Sequence, residues 1–265
     1  MYREAAQAPD AVREQLQANA ASVRSLAERL RAQPPRAVVT CARGSSDHAA
    51  TFARYLIETR LGLLTSSAAP SVSSVYAAAP DLSGTLMLAI SQSGASPDLL
   101  AAVSSARAAG ARIVALVNTE ASPLAQLADD LLPLRAGEER SVAATKSFIA
   151  SLAAVVQLVA SWSRDAQLSA ALEQAPELLR GAWQLDWSAA VTRLTSARDL
   201  YVVGRGLGLA VAQEAALKLK ETCSLHAEAL SAAELRHGPM ALVQRGFPLL
   251  IFTQDDETRA GVAAL

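Results

Sequence analysis

The chain of 265 residues has room for one large domain or two small ones, and with 51% apolar and 18% charged residues it can bury a sizeable core. That balance excludes a disordered chain, which would be poor in apolar residues and rich in net charge. A formal charge of -1 gives no electrostatic reason to expect nucleic acid or an anionic membrane as a partner.

Residues 10–33 place apolar side chains at helical spacing with charges between them, and the prolines at 34 and 35 stop that helix. "RAVVTCARGSSDHAATFARYLIETRLG" then reads as a short apolar strand, a turn at Gly44 and a helix. "TLMLAI" and "RIVALVN" give two more strands, with a helix starting near Pro97 between them. "DDLLPLRA" gives a fourth strand, and residues 145–162 a long helix. Short, continuously apolar strands alternating with helices predict a parallel sheet covered on both faces. The longest apolar run, "FIASLAAVVQLVASW", is shorter than the roughly 20 residues of a spanning helix. It also carries Ser151, Gln157 and Ser161, so it reads as a buried helix, and no membrane partner is expected.

A polar helical stretch over 163–197 follows, and then the opening pattern returns. "LYVVGRGLGLAVAQEAALKLKE" is again strand, glycine turn and helix, and "FPLLIFTQDD" stands where "TLMLAISQSG" stood. This predicts a degenerate internal repeat of two α/β units. The expected boundaries are a helical segment 1–35, a first unit 36–165, a helical connector 166–197 and a second unit 198–265. The second unit holds too few strands for a closed sheet and reads as incomplete, its edge left for further residues or a partner to cover. Cys41 and Cys223 are the only cysteines and have no metal-ligand spacing around them. Without a disulfide framework or a signal peptide, a reducing cytoplasm is expected.

"SQSGASPD", residues 91–98, lies where a strand hands over to a helix, the place where ligands sit in open parallel sheets. Ser96 suits the N-cap and Pro97 the first helical position. Gly94 allows close approach to the helix N–H groups, and Ser91, Gln92, Ser93 and Ser96 add donors without a bulky charge. "GSSD", residues 44–47, brings Gly44 and Ser46 to the end of the first strand. Two such clusters at neighbouring strand ends fit one dianionic phosphate; taken singly, each is equally an ordinary turn. The matching "TQDD" turn of the second unit is acidic and would repel phosphate. "GRGLG", 204–208, lacks the G-x-G-x-x-G spacing, so no nicotinamide cofactor is expected.

Four stretches, "GSSDHA", "SQSGASPD", "ERSVAATKSF" and "EAALKLKETCSLHAEALSAAELRHGPMAL", resemble the motifs of the sugar isomerase (SIS) domain family. The likeness is to the isomerase half of glutamine–fructose-6-phosphate aminotransferase and to stand-alone glucosamine-6-phosphate deaminases of two such domains. It covers nearly the whole chain and implies tandem doubly wound α/β units, parallel sheets flanked by helices. It further implies that Ser46, Ser91, Gln92, Ser93 and Ser96, with Gly44 and Gly94, bind the sugar phosphate. Glu221 would shuttle a proton beside Lys218, and His237 of "ELRHGP" would open the sugar ring. In the family that histidine comes from a neighbouring subunit, which implies a homodimer with a shared active site.

Arg43 stands where the synthase motif has cysteine and Ala144 where a serine is usual, and both argue against a plain synthase. Read from the residues alone, Glu214, Lys218 and Glu221 also fit a surface ion-pair ladder. A base at Glu221 would need burial to raise its pKa. His48, His226 and Lys146 read as structural. Tyr2 follows the initiator, and the first cysteine lies within a strand, so the aminotransferase's N-terminal nucleophile has no counterpart here. The expected reaction is therefore conversion of glucosamine 6-phosphate to fructose 6-phosphate and ammonia, without metal or organic cofactor. A synthase-like isomerase half and a non-catalytic phosphosugar-binding protein are the alternatives.

Overall fold

The computed structural model describes residues 1–78 and 80–265, in two compact units, Met1–Trp183 and Gln184–Leu265. In the first, α1 (Tyr2–Ala5) and α2 (Ala8–Ala32) lead into β1 (Val38–Cys41), α3 (Ser45–Leu61), β2 (Thr65–Ser67), α4 (Pro70–Ser74) and β3 (Leu86–Ser91). After them come α5 (Pro97–Ala108), β4 (Arg112–Val117), α6 (Pro123–Leu127), β5 (Asp130–Pro133), α7 (Lys146–Ser163) and α8 (Ala166–Trp183). The sheet is parallel throughout, in the order β2-β1-β3-β4-β5.

Every residue of β3 is buried, as a strand covered on both faces must be. Met87 and Ala89, with Ile113, Ala115 and Val117 of β4, pack against Leu99, Val103 and Leu124 of α5 and α6. The two-residue period turns Leu86, Leu88, Ile90, Val114 and Leu116 to the opposite face, where all are buried. There α3 packs on α7, and α7 on α2 and α8. By length and composition α7 is apolar enough to cross a membrane, but two thirds of it, 67%, is buried among these helices. At the α2–α7 seam the Gln15 amide nitrogen donates to the Ala150 carbonyl at 3.0 Å and that of Gln157 to the Leu16 carbonyl at 2.7 Å. β2 escapes a reading of the sequence because "TSS" is a short, largely exposed edge strand with no apolar run.

The second unit comprises α9 (Ser188–Leu194), β6 (Asp199–Gly204), α10 (Leu207–Cys223), β7 (His226–Ser231) and α11 (Ala232–Leu235). A 3-10 turn over Pro239–Leu242, β8 (Leu249–Ile251) and α12 (Arg259–Ala263) complete it. Its parallel sheet runs β7-β6-β8. Leu200 and Val202 face α10 through Ala212 and Ala216, while Tyr201 and Val203 face Leu235 and Val262. β7 is not among the predicted strands, because "HAEALS" is rich in residues that favour helix. Pairing with β6 overrides that preference. The stretch 166–197 is divided, α8 falling in the first unit and α9 in the second.

Candidate functional site

β1 and β3 are parallel neighbours, with Cys41 opposite Ala89, so the loops after both leave the same edge of the sheet. After β1, Gly44 takes φ 57° and ψ −132°, a conformation essentially restricted to glycine, and α3 starts at the next residue. Ser46 stands in that first turn, its N–H donating to the Arg43 carbonyl at 3.2 Å. After β3, Gly94 has φ +63° and packs its α-carbon against Ser122 and Val117. Its N–H donates to Ser91 Oγ at 3.0 Å, and its carbonyl accepts from the Leu124 N–H at 3.0 Å. The Ala95 N–H donates to Ser93 Oγ at 3.3 Å. Ser91 and Ser93 thus accept from their own loop and keep O–H protons to donate. Ser91 is buried, Gln92 and Ser96 half-buried and Ser93 exposed.

Ser96 occupies the N-cap position and Pro97 opens α5, as the sequence predicts, but the Ser96 hydroxyl does not cap the helix. It donates instead to Asp98 Oδ1 at 2.7 Å. The cluster is not a purely neutral one either. Asp98 also accepts from the Leu99 N–H at 2.9 Å and meets the Arg43 guanidinium, from the neighbouring loop, at 2.7 Å. The Ser96 hydroxyl foremost, and Arg43 with it, hold the Asp98 carboxyl below its usual range against an opposing effect of burial. Close by, burial raises the Asp47 carboxyl against His48 and Arg43, and lifts the Cys41 thiol to about 11. The sequence gives little hint of the Arg43–Asp98 pair, whose members stand 55 positions apart (98 − 43). The available signal was a basic and an acidic residue at adjacent strand ends.

In the second unit Lys218 Nζ lies 3.2 Å from Glu214 Oε1 and 2.6 Å from Glu221 Oε2, all three on α10. Glu214 is buried but Glu221 is exposed, so the burial expected to make it a base is absent from this unit. His237 stands on the turn after α11, exposed, its N–H donating to the Glu234 carbonyl at 2.9 Å. His226 is exposed at the start of β7 and His48 half-buried in α3. Lys146 is buried and donates to Gln7 Oε1 at 2.8 Å, a structural use. Glu139, which the sequence does not single out, caps α7 by accepting from Thr145 N–H at 2.9 Å, Thr145 Oγ1 at 3.1 Å and the Ser147 hydroxyl. Gly206 repeats the Gly44 geometry with φ 57° and ψ −130°. After the neighbouring β8, however, Asp256 takes up the Thr258 N–H at 2.8 Å, Thr258 Oγ1 at 2.5 Å and Gln254 Nε2 at 2.9 Å.

The SIS domain profile matches residues 33–161 and 193–265. The chain belongs to the SIS domain family. This SIS chain is 38% identical over 226 residues to glutamine–fructose-6-phosphate aminotransferase (isomerizing) of Aeropyrum pernix, covering 80% of the chain and 36% of the relative. To the enzyme of the same name from Pyrococcus horikoshii it is 32% identical over 258 residues, 94% of the chain and 43% of the relative. The chain therefore spans well under half the length of these curated relatives. A Silicibacter pomeroyi protein described as a candidate phosphosugar isomerase superposes with TM-score 0.96 at 46% identity, over 100% of this chain and 81% of its own. The C-terminal domain of glucosamine-fructose-6-phosphate aminotransferase from Francisella tularensis gives 0.85 at 27% identity, with coverages of 100% and 81%. A glucosamine-6-phosphate deaminase from Thermotoga maritima, at 22% identity and TM-score 0.74, shares the fold alone.

Proposed function

We propose that this SIS chain interconverts aldose and ketose forms of a hexose 6-phosphate, its substrate an amino sugar phosphate as in the isomerase half of the aminotransferases. The observation that carries the reading is the adjacency of β1 and β3, which sends two serine-bearing loops off one edge of a parallel sheet. The relatives move the choice of reaction away from the expected deamination. Those at 32–38% identity are named as aminotransferases, whereas the deaminase is alike only in fold.

In this reading Ser46, Ser91, Gln92 and Ser93 donate to the phosphoryl oxygens, beside the backbone N–H groups that Gly44 and Gly94 leave approachable. Ser96 joins them when its hydroxyl leaves Asp98. His237 donates a proton to the ring oxygen and opens the sugar. Glu221 moves the proton from C2 to C1 while a second proton passes from the C2 amino nitrogen to O1, so that the C1 carbonyl becomes a C2 imine. Lys218, 2.6 Å from the Glu221 carboxylate, orients that base. A homodimer sharing these residues belongs to the same proposal.

The test supplies glucosamine 6-phosphate in one reaction and fructose 6-phosphate with ammonium in another, and follows both sugars and ammonia. Exchange of the C2 hydrogen of glucosamine 6-phosphate with solvent, without ammonia release and without ammonia uptake in the ketose reaction, supports the isomerase reading. Ammonia release as the dominant reaction restores the deaminase. Binding without turnover in either direction sinks both and leaves a phosphosugar-binding protein. Glu221→Gln should bind wild-type amounts of phosphosugar yet lose turnover by roughly 100-fold or more, a general base contributing about 10²–10⁴.

A further inference from the structure

Arg43 follows β1 and Asp98 stands in the first turn of α5, so their 2.7 Å ion pair joins the two strand ends of the site. Asp98 gathers a hydroxyl from Ser96 at 2.7 Å, the Leu99 N–H at 2.9 Å and the Arg43 guanidinium. A hydroxyl, a first-turn helix amide and a guanidinium are also the donors that recognise a phosphate oxygen. The Asp98 carboxylate thus stands as an internal anion on a donor set suited to a phosphoryl group. Serines and amides alone make a neutral cradle, and Asp98 alone would turn it against a dianion. Arg43 cancels that charge.

We propose that Arg43 is a further phosphate-binding residue of this site, and that Asp98 competes with the ligand for its guanidinium. The proposal rests on the phosphosugar reading and names the charge that sets how tightly the phosphoryl group is held. A guanidinium presents several donors in a rigid fork, and the Arg43 side chain is half exposed at 50%. One edge can stay near Asp98 while the other meets a ligand oxygen. Nη1 also reaches the Ala42 carbonyl at 3.3 Å, which keeps the group beside the end of β1.

The competing account makes the ion pair a strut that merely fixes the two loops. The two accounts differ in sign at Asp98. Calorimetric titration of the full chain with glucosamine 6-phosphate, near pH 8 where the monoester is a dianion, separates them. Free glucosamine serves as the control for the phosphoryl contribution. Arg43→Ala should raise Kd by about tenfold or more, since hydrogen bonds between charged groups are the strong ones. Arg43→Lys should recover part of that loss, and Asp98→Asn should lower Kd by roughly threefold or more as the rival anion disappears. Glucosamine should be indifferent to all three. A strut predicts that Arg43→Ala and Asp98→Asn weaken binding alike, and that result, or no change in either, overturns the proposal. If Arg43→Ala does not fold, Asp98→Asn decides alone: tighter binding supports the competition and weaker or equal binding rejects it. Failure of the wild-type chain to bind any hexose 6-phosphate would remove the phosphosugar reading itself. Normal wild-type binding with unmoved variants removes only the role of Arg43.

Discussion

Gly94 carries two separate constraints, and Gly94→Ala tests both at once. Its φ of +63° lies in the left-handed region, where an L side chain costs roughly 1–2 kcal/mol. An added Cβ would also overlap Ser122 Oγ and lie 2.6 Å from Ser122 Cβ and 2.8 Å from Val117 Cγ2. Neither neighbour can swing away. Val117 is fully buried, and Ser122 is buried with its Oγ accepting from the Ala125 N–H at 3.3 Å to cap α6. Overpacking of that kind costs about 1–3 kcal/mol, giving about 2–5 kcal/mol together with the backbone term. Gly44 supplies the control. It has φ +57°, but a methyl group added there would meet nothing within 4 Å, so Gly44→Ala should show only the backbone cost of about 1–3 kcal/mol. In urea unfolding followed by circular dichroism, a slope near 3 kcal/mol per molar turns the Gly94→Ala loss into a midpoint lower by about 0.7–1.7 M. The reasoning fails if Gly94→Ala unfolds at the wild-type midpoint, or if Gly44→Ala costs clearly more than Gly94→Ala.

The remaining predictions use the same loops and their supports. Because the folded Asp98 carboxyl is held below its ordinary value of 3.8, its pairing contributes stability that is present above that value and is lost as pH falls through the folded one. The urea-midpoint difference between wild type and Asp98→Asn should therefore stay constant from about pH 8 to 5 and shrink below about pH 4; a difference that already fades near neutrality contradicts this. Glu139→Ala should cost about 0.5–2 kcal/mol by uncapping α7, read as a lowered urea midpoint, with Glu139→Gln milder because an amide oxygen still accepts. The buried Cys41 thiol, raised to about 11, should resist iodoacetamide in the native protein while exposed Cys223 is alkylated, as mass spectrometry of the intact chain would show. Native labelling of Cys41 would mean that the end of β1 opens.

The sequence by itself determined the long-range plan. Strands such as "TLMLAI" are apolar at every position because both faces are covered, and that pattern is visible without coordinates. Gly44, Gly94, Ser96 and Pro97 mark turn and helix starts through local backbone preferences, which a linear reading captures. β2 and β7 were not legible, since "TSS" and "HAEALS" become strands only through the neighbours they pair with. Tertiary structure also decided what the polar side chains do. Ser96 spends its hydroxyl on Asp98, Arg43 crosses between loops to the same carboxylate, and Glu139 folds back on α7. A residue's backbone tendency is set within a few positions along the chain, whereas its hydrogen-bond partner is chosen by whichever donor or acceptor folding brings within about 3 Å.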